Sequence, residues 1–128
     1  MAIRVVRLGT PRAKDEGLRL GTVRRPPRGV PKSEFSSGNW YDLWLPILAP
    51  SVPTMKQALA ARTSAQWSAF ARKYRSEMSS REARQVIALL AALSHHTNFA
   101  VGCYCEDESH CHRSILRALL AEHGAKFA

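Results

Sequence analysis

The segment over residues 99–122 most constrains what this chain can fold into. Residues 99–105 form an apolar run of strand length, and an acidic loop separates that run from a helical pattern carrying Ile115, Leu116 and Leu119. A buried strand followed by a loop and an amphipathic helix is typical of α/β proteins, in which helices pack on the face of a sheet. The segment therefore predicts a layered α/β fold.

Two more strand patterns lie near the N terminus. Residues 3–8 are rich in β-branched side chains and end at the turn-forming run Gly9-Thr10-Pro11, and residues 18–23 alternate apolar with polar or small side chains. Such alternation is expected of a strand with one covered face. The chain thus supplies three strands to the predicted sheet.

Three helical patterns separate the second strand from the third. Each begins at a hydroxyl side chain that suits an N-cap: Ser51 or Thr54 for a short helix, Ser64 for a longer one, and Ser79 or Ser80 for the next. With the helical pattern after residue 110, these segments predict about four helices.

Two apolar features between these patterns are assigned to the core. Trp67, Phe70 and Tyr74 recur at helical spacing, which favours one buried helix face over a platform for stacking nucleic-acid bases. Residues 40–51 are too apolar to lie free on the surface, yet prolines such as Pro46 limit them to short turns or a broken helix. We expect this second segment to pack as an apolar arm across the core.

The order of these elements predicts one small α/β domain over residues 1–128. We expect a three-layer-like arrangement with a short, mainly parallel sheet and about four helices. A chain of 128 residues is long enough to bury most of its apolar surface without a disulfide or a structural metal.

The cysteine count and the hydropathy predict a cytoplasmic location. Three cysteines are an odd number, and no secretory signal precedes them, which argues against a disulfide framework. No apolar stretch approaches the roughly 18 residues that a membrane span requires. We therefore expect no membrane partner.

The formal net charge of +9 favours polyanionic partners. Such a charge raises the rate of encounter with nucleic acid or other phosphates, although it determines neither fold nor specificity. An arginine-rich composition of this kind is also typical of proteins from GC-rich genomes. Nucleic acid and a small anionic ligand are therefore both retained as partners.

All three cysteines and two of the five histidines fall within residues 103–113. If the last helix begins near residue 109 or 110, the thiol of Cys111 lies in its first turn, where free N–H groups and Arg113 favour a thiolate. His110 and His112 then supply a proton carrier, so these three residues are the predicted catalytic set. The alternative is that Cys111 only caps or packs, because the acidic neighbours oppose a thiolate.

The same cluster offers enough soft ligands for a tetrahedral zinc ion. However, Cys103 and Cys105 lie on one face of a single strand rather than in a tight turn, and no second ligand pair follows at a standard interval. We therefore predict no metal and no cofactor.

Three arginines are predicted to bind an anion. Arg24 and Arg28 lie in a proline-rich loop after the second strand, and Arg113 follows the third strand. If these strands are parallel neighbours, the two loops meet at one edge of the sheet, where guanidinium groups can bind phosphate or carboxylate. The alternative is that Arg24 or Arg28 pairs with Asp42 or the acidic loop and fastens the proline-rich segment.

Four motifs follow one another in a fixed order along the chain. They comprise Arg19, Arg24, Pro27, Arg28 and Gly29; Ala49, Pro50 and Ser51; Trp67, Phe70, Tyr74 and Glu77; and Cys105, Asp107, Glu108, His110, Cys111, His112 and Arg113. This order resembles the bacterial and archaeal family known as domain of unknown function 488, over residues 3–120. The resemblance implies a compact cytoplasmic α/β domain and no established activity. Many relatives carry an acid and a tryptophan where residues 23–29 of this chain have neither.

Two hypotheses about function follow from these residues. The first is a thiol-dependent enzyme that acts on a small substrate bearing a phosphate or carboxylate, through Cys111 and the surrounding arginines and histidines. The second is a non-catalytic module that binds nucleic acid or phosphate through its basic surface. The first requires an activated thiol in a pocket, and the second requires an affinity that falls steeply with salt.

Overall fold

Four parallel strands form the centre of the computed structural model, which describes residues 1–128. They are β1 (Ile3–Arg7), β2 (Leu18–Gly21), β3 (Leu43–Trp44) and β4 (Phe99–Cys103), and they lie in the order β1-β4-β2-β3 across the sheet. All five residues of β4 are buried because it pairs with a strand on each side. The predicted α/β domain with a mainly parallel sheet is confirmed.

Four helices accompany the sheet: α1 (Val52–Ala60), α2 (Ser64–Glu77), α3 (Arg81–Leu93) and α4 (His112–Glu122). None of them has both the length and the apolar character that crossing a membrane would need.

Hydroxyl side chains cap the first three helices. Ser51 and Ser80 accept hydrogen bonds from the first turns of α1 and α3, as the sequence predicts. The cap of α2 is Thr63 rather than Ser64, because Thr63 forms a reciprocal capping box with Gln66. The last helix, α4, ends at Glu122, and Gly124 follows its C-cap residue with a φ of 82°, which suits the left-handed turn that closes a helix.

The helices cover one face of the sheet and form the larger core. Their inward side chains pack against Ile3, Leu20, Phe99 and Val101 of the strands. Phe70 and Tyr74 are both buried in this core, and Trp67 packs against it.

The opposite face of the sheet is covered by irregular segments, which we call the cover (residues 8–17 and 35–42). A Cβ atom added at Gly21 would lie 2.3 Å from the ring of Tyr41, and one added at Gly102 would lie 2.7 Å from Leu8. The cover therefore rests directly on the backbone of the strands, and the three layers are helices, sheet and cover.

The segment over residues 40–51 differs in part from the expected turns or broken helix. It contains a two-residue strand, β3, which pairs with β2, and a single 3-10 turn at Pro46–Leu48. The hydroxyl of Tyr74 donates a hydrogen bond of 2.6 Å to the carbonyl of Leu48, which holds the segment against α2. A strand of two residues is too short to show a hydrophobic pattern in the sequence, and it forms here because the edge of β2 is free to pair with it.

A buried ion pair holds the cover to the sheet. The side chain of Arg19 is 0% exposed and that of Glu16 is 2% exposed, and the guanidinium donates to both carboxylate oxygens at 2.7 and 2.8 Å. Arg19 also donates to the carbonyls of Thr10 and Asn39, each at 2.8 Å. Burial opposes ionisation of Glu16, but its hydrogen bonds and the charge of Arg19 outweigh burial, so the pKa of Glu16 is lowered.

Removing one partner of this pair is expected to destabilise the fold. Arg19→Met leaves a buried carboxylate without its countercharge, so we expect the free energy of unfolding to fall by about 3–5 kcal/mol. Arg75→Met is the matched control, because Arg75 forms an ion pair with Glu122 at the surface and its loss costs about 1 kcal/mol or less. Urea denaturation of both variants measures the difference, and equal costs would contradict this role.

The same pair predicts how stability depends on pH. Since the pKa of Glu16 is lower in the folded state than its ordinary value of 4.5, its contribution is complete above that value and is lost as pH falls through the folded pKa. Denaturation of Glu16→Gln between pH 3 and 7 should therefore show a weaker loss of stability in acid than the parent chain shows.

Candidate functional site

The loops that follow β2 and β4 meet at the carboxyl edge of the sheet. Because the two strands are parallel neighbours, both loops leave from the same edge, as the sequence predicts. The hydroxyl of Tyr104 donates a hydrogen bond of 2.7 Å to the carbonyl of Arg25, which joins the loops directly.

A cavity of about 290 Å³ lies between these loops and helices α1 and α2. Its wall is mainly apolar, with contributions from Val23, Met55 and Phe70. The polar and reactive groups that line it are Arg24, Arg25, Cys103, Tyr104, Cys105, His110, Cys111 and His112. The structure thus brings all three cysteines and both predicted histidines to one cavity.

The three thiols differ in their exposure to water. Cys103 at the end of β4 and Cys111 before α4 are each 2% exposed, whereas Cys105 is exposed. The sulfur atoms of Cys103 and Cys111 and a ring nitrogen of His112 all lie within 4.8 Å of one another. Cys105 is therefore the thiol at the mouth of the cluster.

The helix after the cluster begins later than the sequence predicts. We expected Cys111 in the first turn of a helix starting near residue 109 or 110, but α4 begins at His112. Cys111 is the N-cap residue in extended conformation, and its side chain makes no capping hydrogen bond. The side chain of Asp107 accepts a hydrogen bond from the backbone N–H of Ser109 and so starts a separate 3-10 turn over Glu108–His110.

The imidazole of His112 has a fixed orientation and a fixed tautomer. Its Nε2 lies 2.7 Å from the carbonyl oxygen of Thr22. A carbonyl can only accept, so Nε2 carries the proton that forms this hydrogen bond. In the neutral ring the lone pair is then on Nδ1, which lies 3.7 Å from the sulfur of Cys111. The pair is arranged for proton transfer from the thiol to the imidazole.

A buried guanidinium lies beside the thiols. Arg113 is 3% exposed, and it donates a hydrogen bond of 2.6 Å to the carbonyl of Cys105, while its Nε has no partner. A fixed positive charge in this place stabilises a thiolate. It also opposes a metal cation, although the donor atoms of Cys103, Cys111 and His112 are close enough together to share one.

Negative charge in the cluster is concentrated on the exposed thiol. Hydrogen bonds with Cys103 and Cys111 and the charge of Arg113 lower the pKa of Cys105 to about 3, against the opposing effect of burial. The hydrogen bond with Cys105 and then burial raise the pKa of Cys103. The two shifts run in opposite directions, so the surroundings favour the anionic sulfur at Cys105 over that at Cys103.

The second predicted proton carrier, His110, is exposed and lies at the mouth of the cavity. Its Nδ1 is 3.0 Å from Oδ2 of Asp107, and this hydrogen bond, together with those from Ser109, lowers the pKa of Asp107 to about 2. The rings of His110 and Trp67 meet edge to face at 5.6 Å between centroids. No hydrogen bond joins His110 to Cys111, so the structure gives the closer contact to His112.

The three predicted anion-binding arginines have different surroundings. Arg24 donates 3.0 Å hydrogen bonds to the carbonyls of Ala49 and Pro50, so it fastens this segment through backbone oxygens rather than through Asp42. Arg113 lies beside the thiols, and Arg28 is exposed in a neighbouring hollow.

That neighbouring hollow, which we call the arginine hollow, has a volume of about 610 Å³. Its charged residues are Arg7, Arg25 and Arg28, and its aromatic residues are Trp40 and Tyr104. Arg25 and Tyr104 line the thiol cavity as well. The two concave regions therefore share a wall.

Two residues of the site were not among those predicted. Cys105 is the exposed thiol, and Arg25 connects the cavity to the arginine hollow. The sequence holds no signal that ranks Cys105 above its two neighbours, or Arg25 above the adjacent Arg24, because each depends on the path of a loop.

A protein-family model described as "DUF488-N3a: Active DUF488-N3 subclade" matches residues 3–124. No curated protein and no solved structure matches the chain.

The lowered pKa of Cys105 predicts unusual reactivity at acidic pH. Alkylation of Cys105 by iodoacetamide should be nearly independent of pH above about pH 5, whereas an ordinary thiol with a pKa of about 8.5 becomes roughly tenfold more reactive with each pH unit up to that value. Arg113→Met should move the midpoint upward, and Arg117→Met, which removes an arginine paired with Glu108, should not. Peptide mass spectrometry measures both, and a midpoint near 8.5 in the parent chain would contradict the assignment.

Proposed function

We propose that this chain, which belongs to the DUF488-N3a subclade, is a thiol-dependent enzyme that acts on a small substrate bearing a phosphate or carboxylate. The observation that carries the proposal is the pair formed by Cys111 and His112 at the wall of a mainly apolar cavity. The description of the subclade as active is consistent with catalysis.

In the proposed reaction, Cys111 is the nucleophile and His112 is the general base. The thiol proton passes to Nδ1 of His112 as the sulfur forms a bond to an electrophilic carbon of the substrate. The imidazolium then returns this proton to the group that leaves that carbon. Thr22 supports the step because its carbonyl accepts a hydrogen bond from Nε2–H in both charge states of the ring.

The buried charge of Arg113 assists this chemistry. The guanidinium lies against the thiol cluster, and its Nε has no hydrogen-bond partner. Because this positive group is already in place before the reaction, it stabilises the thiolate that Cys111 forms without any rearrangement of the site. His110, at the mouth of the cavity beside Asp107, is the proposed second proton carrier for groups that leave toward solvent.

The anionic group of the substrate is assigned to the wall between the two concave regions. Arg25 lines both, and Arg28 lies in the arginine hollow next to it. Neither guanidinium makes an ion pair within the chain, so both are free to bind phosphate or carboxylate. Arg24 shapes the cavity from its position on the carbonyls of Ala49 and Pro50.

Iodoacetate and iodoacetamide test this proposal without knowledge of the substrate, because they share an electrophilic carbon and differ in charge. Relative to a free thiol such as N-acetylcysteine, Cys111 should prefer iodoacetate over iodoacetamide by about tenfold, which corresponds to about 1.4 kcal/mol. Digestion after Glu106 and Glu108 places Cys111 on a peptide of its own, so its labelling is measured separately from that of the other thiols.

Variants separate the roles of base and anion site. His112→Asn should slow labelling of Cys111 by both reagents about 100-fold, because the thiol loses its proton acceptor. Arg25→Ala and Arg28→Ala should reduce only the preference for iodoacetate, and Arg72→Ala, which alters an exposed arginine of α2, is the matched control. If Cys111 reacts with neither reagent, or if it shows the same preference between them as a free thiol, the proposal is wrong.

The arginine hollow favours a second candidate function, the binding of single-stranded nucleic acid. Three arginines lie beside Trp40 and Tyr104, whose rings meet edge to face at 6.0 Å. Positive groups that bind phosphates next to aromatic rings are the usual components of such surfaces. The net charge of +9 would assist encounter with the strand.

Salt dependence tests this second function. For a labelled 20-nucleotide oligothymidylate, Arg28→Ala should lower the magnitude of the negative slope of log K against log salt by about 0.7, the value for one phosphate contact on a single strand. Arg72→Ala should leave the slope unchanged. Fluorescence anisotropy measures both, and equal effects of the two substitutions would indicate a diffuse basic surface instead of a site.

A further inference from the structure

We propose that Cys105 and Cys111 form a redox site, in which a peroxide oxidises Cys105 to a sulfenic acid and Cys111 then closes a reversible disulfide. The formation of this bond does not depend on the proposed catalysis. Its consequence for activity rests on the proposed function, because the disulfide would occupy the nucleophile.

Exposure decides which thiol meets the oxidant. Cys105 is the exposed member of the cluster, whereas Cys103 and Cys111 are each 2% exposed. A peroxide that arrives from solvent therefore reaches Cys105 first. The adjacent guanidinium of Arg113, which donates to the carbonyl of this same residue, favours the anionic sulfur that reacts with peroxides.

The structure favours Cys111 over Cys103 as the second thiol. Cys103 and Cys111 both lie within hydrogen-bonding reach of Cys105, but Cys103 makes no hydrogen bond to a base that could take its proton. Cys111 approaches from a different segment and lines the same cavity. Cys111 also has an acceptor for its proton, Nδ1 of His112 at 3.7 Å.

The chemistry balances with the peroxide as oxidant. The thiolate of Cys105 attacks the terminal oxygen of ROOH, the O–O bond breaks, and the sulfur becomes a sulfenic acid as that OH group is transferred to it. The alkoxide RO⁻ that leaves takes a proton from water and becomes ROH. Cys111 gives its proton to His112, and its sulfur attacks the sulfur of Cys105. Hydroxide leaves and takes that proton, so that one disulfide and one water form and two electrons have passed to the peroxide.

Peptide mapping of the peroxide-treated protein tests the proposal. After treatment with hydrogen peroxide, the remaining thiols are blocked with N-ethylmaleimide and the chain is digested after Glu106 and Glu108 without reduction. We expect a cross-link, lost on addition of dithiothreitol, between the peptide that ends at Glu106 and the peptide that holds Cys111. A non-reducing gel should show the monomer, because the bond lies within one chain.

Substitutions identify the two sulfurs. The cross-link should persist in Cys103→Ser and disappear in Cys105→Ser and Cys111→Ser. In Cys111→Ser, dimedone should trap a sulfenic acid at Cys105, and circular dichroism should show that each variant is folded. A cross-link that requires Cys103, or a parent chain that is oxidised at Cys105 to the sulfinic acid without cross-linking, would overturn the proposal.

The same sample separates this proposal from the proposed function. Labelling of the reduced parent chain by iodoacetate reports the nucleophile alone, whereas the cross-link reports the redox pair alone. If both proposals hold, peroxide should abolish iodoacetate labelling of Cys111 and dithiothreitol should restore it. If labelling occurs but no cross-link forms, only the redox site is wrong.

Discussion

The rest of this structure depends on the burial of the Arg19 guanidinium together with the carboxylate of Glu16. A charge this far from water must have its hydrogen bonds satisfied, and two of its partners are backbone carbonyls of Thr10 and Asn39. The guanidinium therefore draws segments that are distant in the sequence onto one face of the sheet. The cover contains no strand or helix that could pair with the sheet, so these hydrogen bonds to Arg19 hold it in place.

The position of the site follows from the same architecture. With the cover on one face and the helices on the other, β4 is buried on both sides and the reactive chemistry is confined to its carboxyl end. There the bonds from Tyr104 to Arg25 and from His112 to Thr22 join the two loops. These contacts hold the thiol cluster between the end of β4 and the start of α4.

The sequence predicts those parts of the molecule that depend on local patterns. The strands near residues 3–8, 18–23 and 99–105 and the hydroxyl caps were accessible because hydrophobic period and capping chemistry are properties of short segments. The meeting of the two loops also followed, since parallel neighbours end at one edge. The start of α4 was not accessible, because it depends on the turn that Asp107 forms. The hydrogen bonds of Arg24 could not be predicted from the sequence either, because their acceptors are backbone carbonyls and every residue has one.

The hydrogen bond from His112 to the carbonyl of Thr22 has a consequence for how such a site changes during evolution. The acceptor belongs to the main chain, so every residue that can occupy position 22 without moving the loop supplies it. A substitution at that position that leaves the loop in place would keep the imidazole aligned. The side chain of Thr22 is constrained for a separate reason, because its buried hydroxyl donates a hydrogen bond of 3.0 Å to the carbonyl of Gly102. The orientation of the ring is inherited with the path of the chain after β2, and only an insertion or deletion in that loop would remove it.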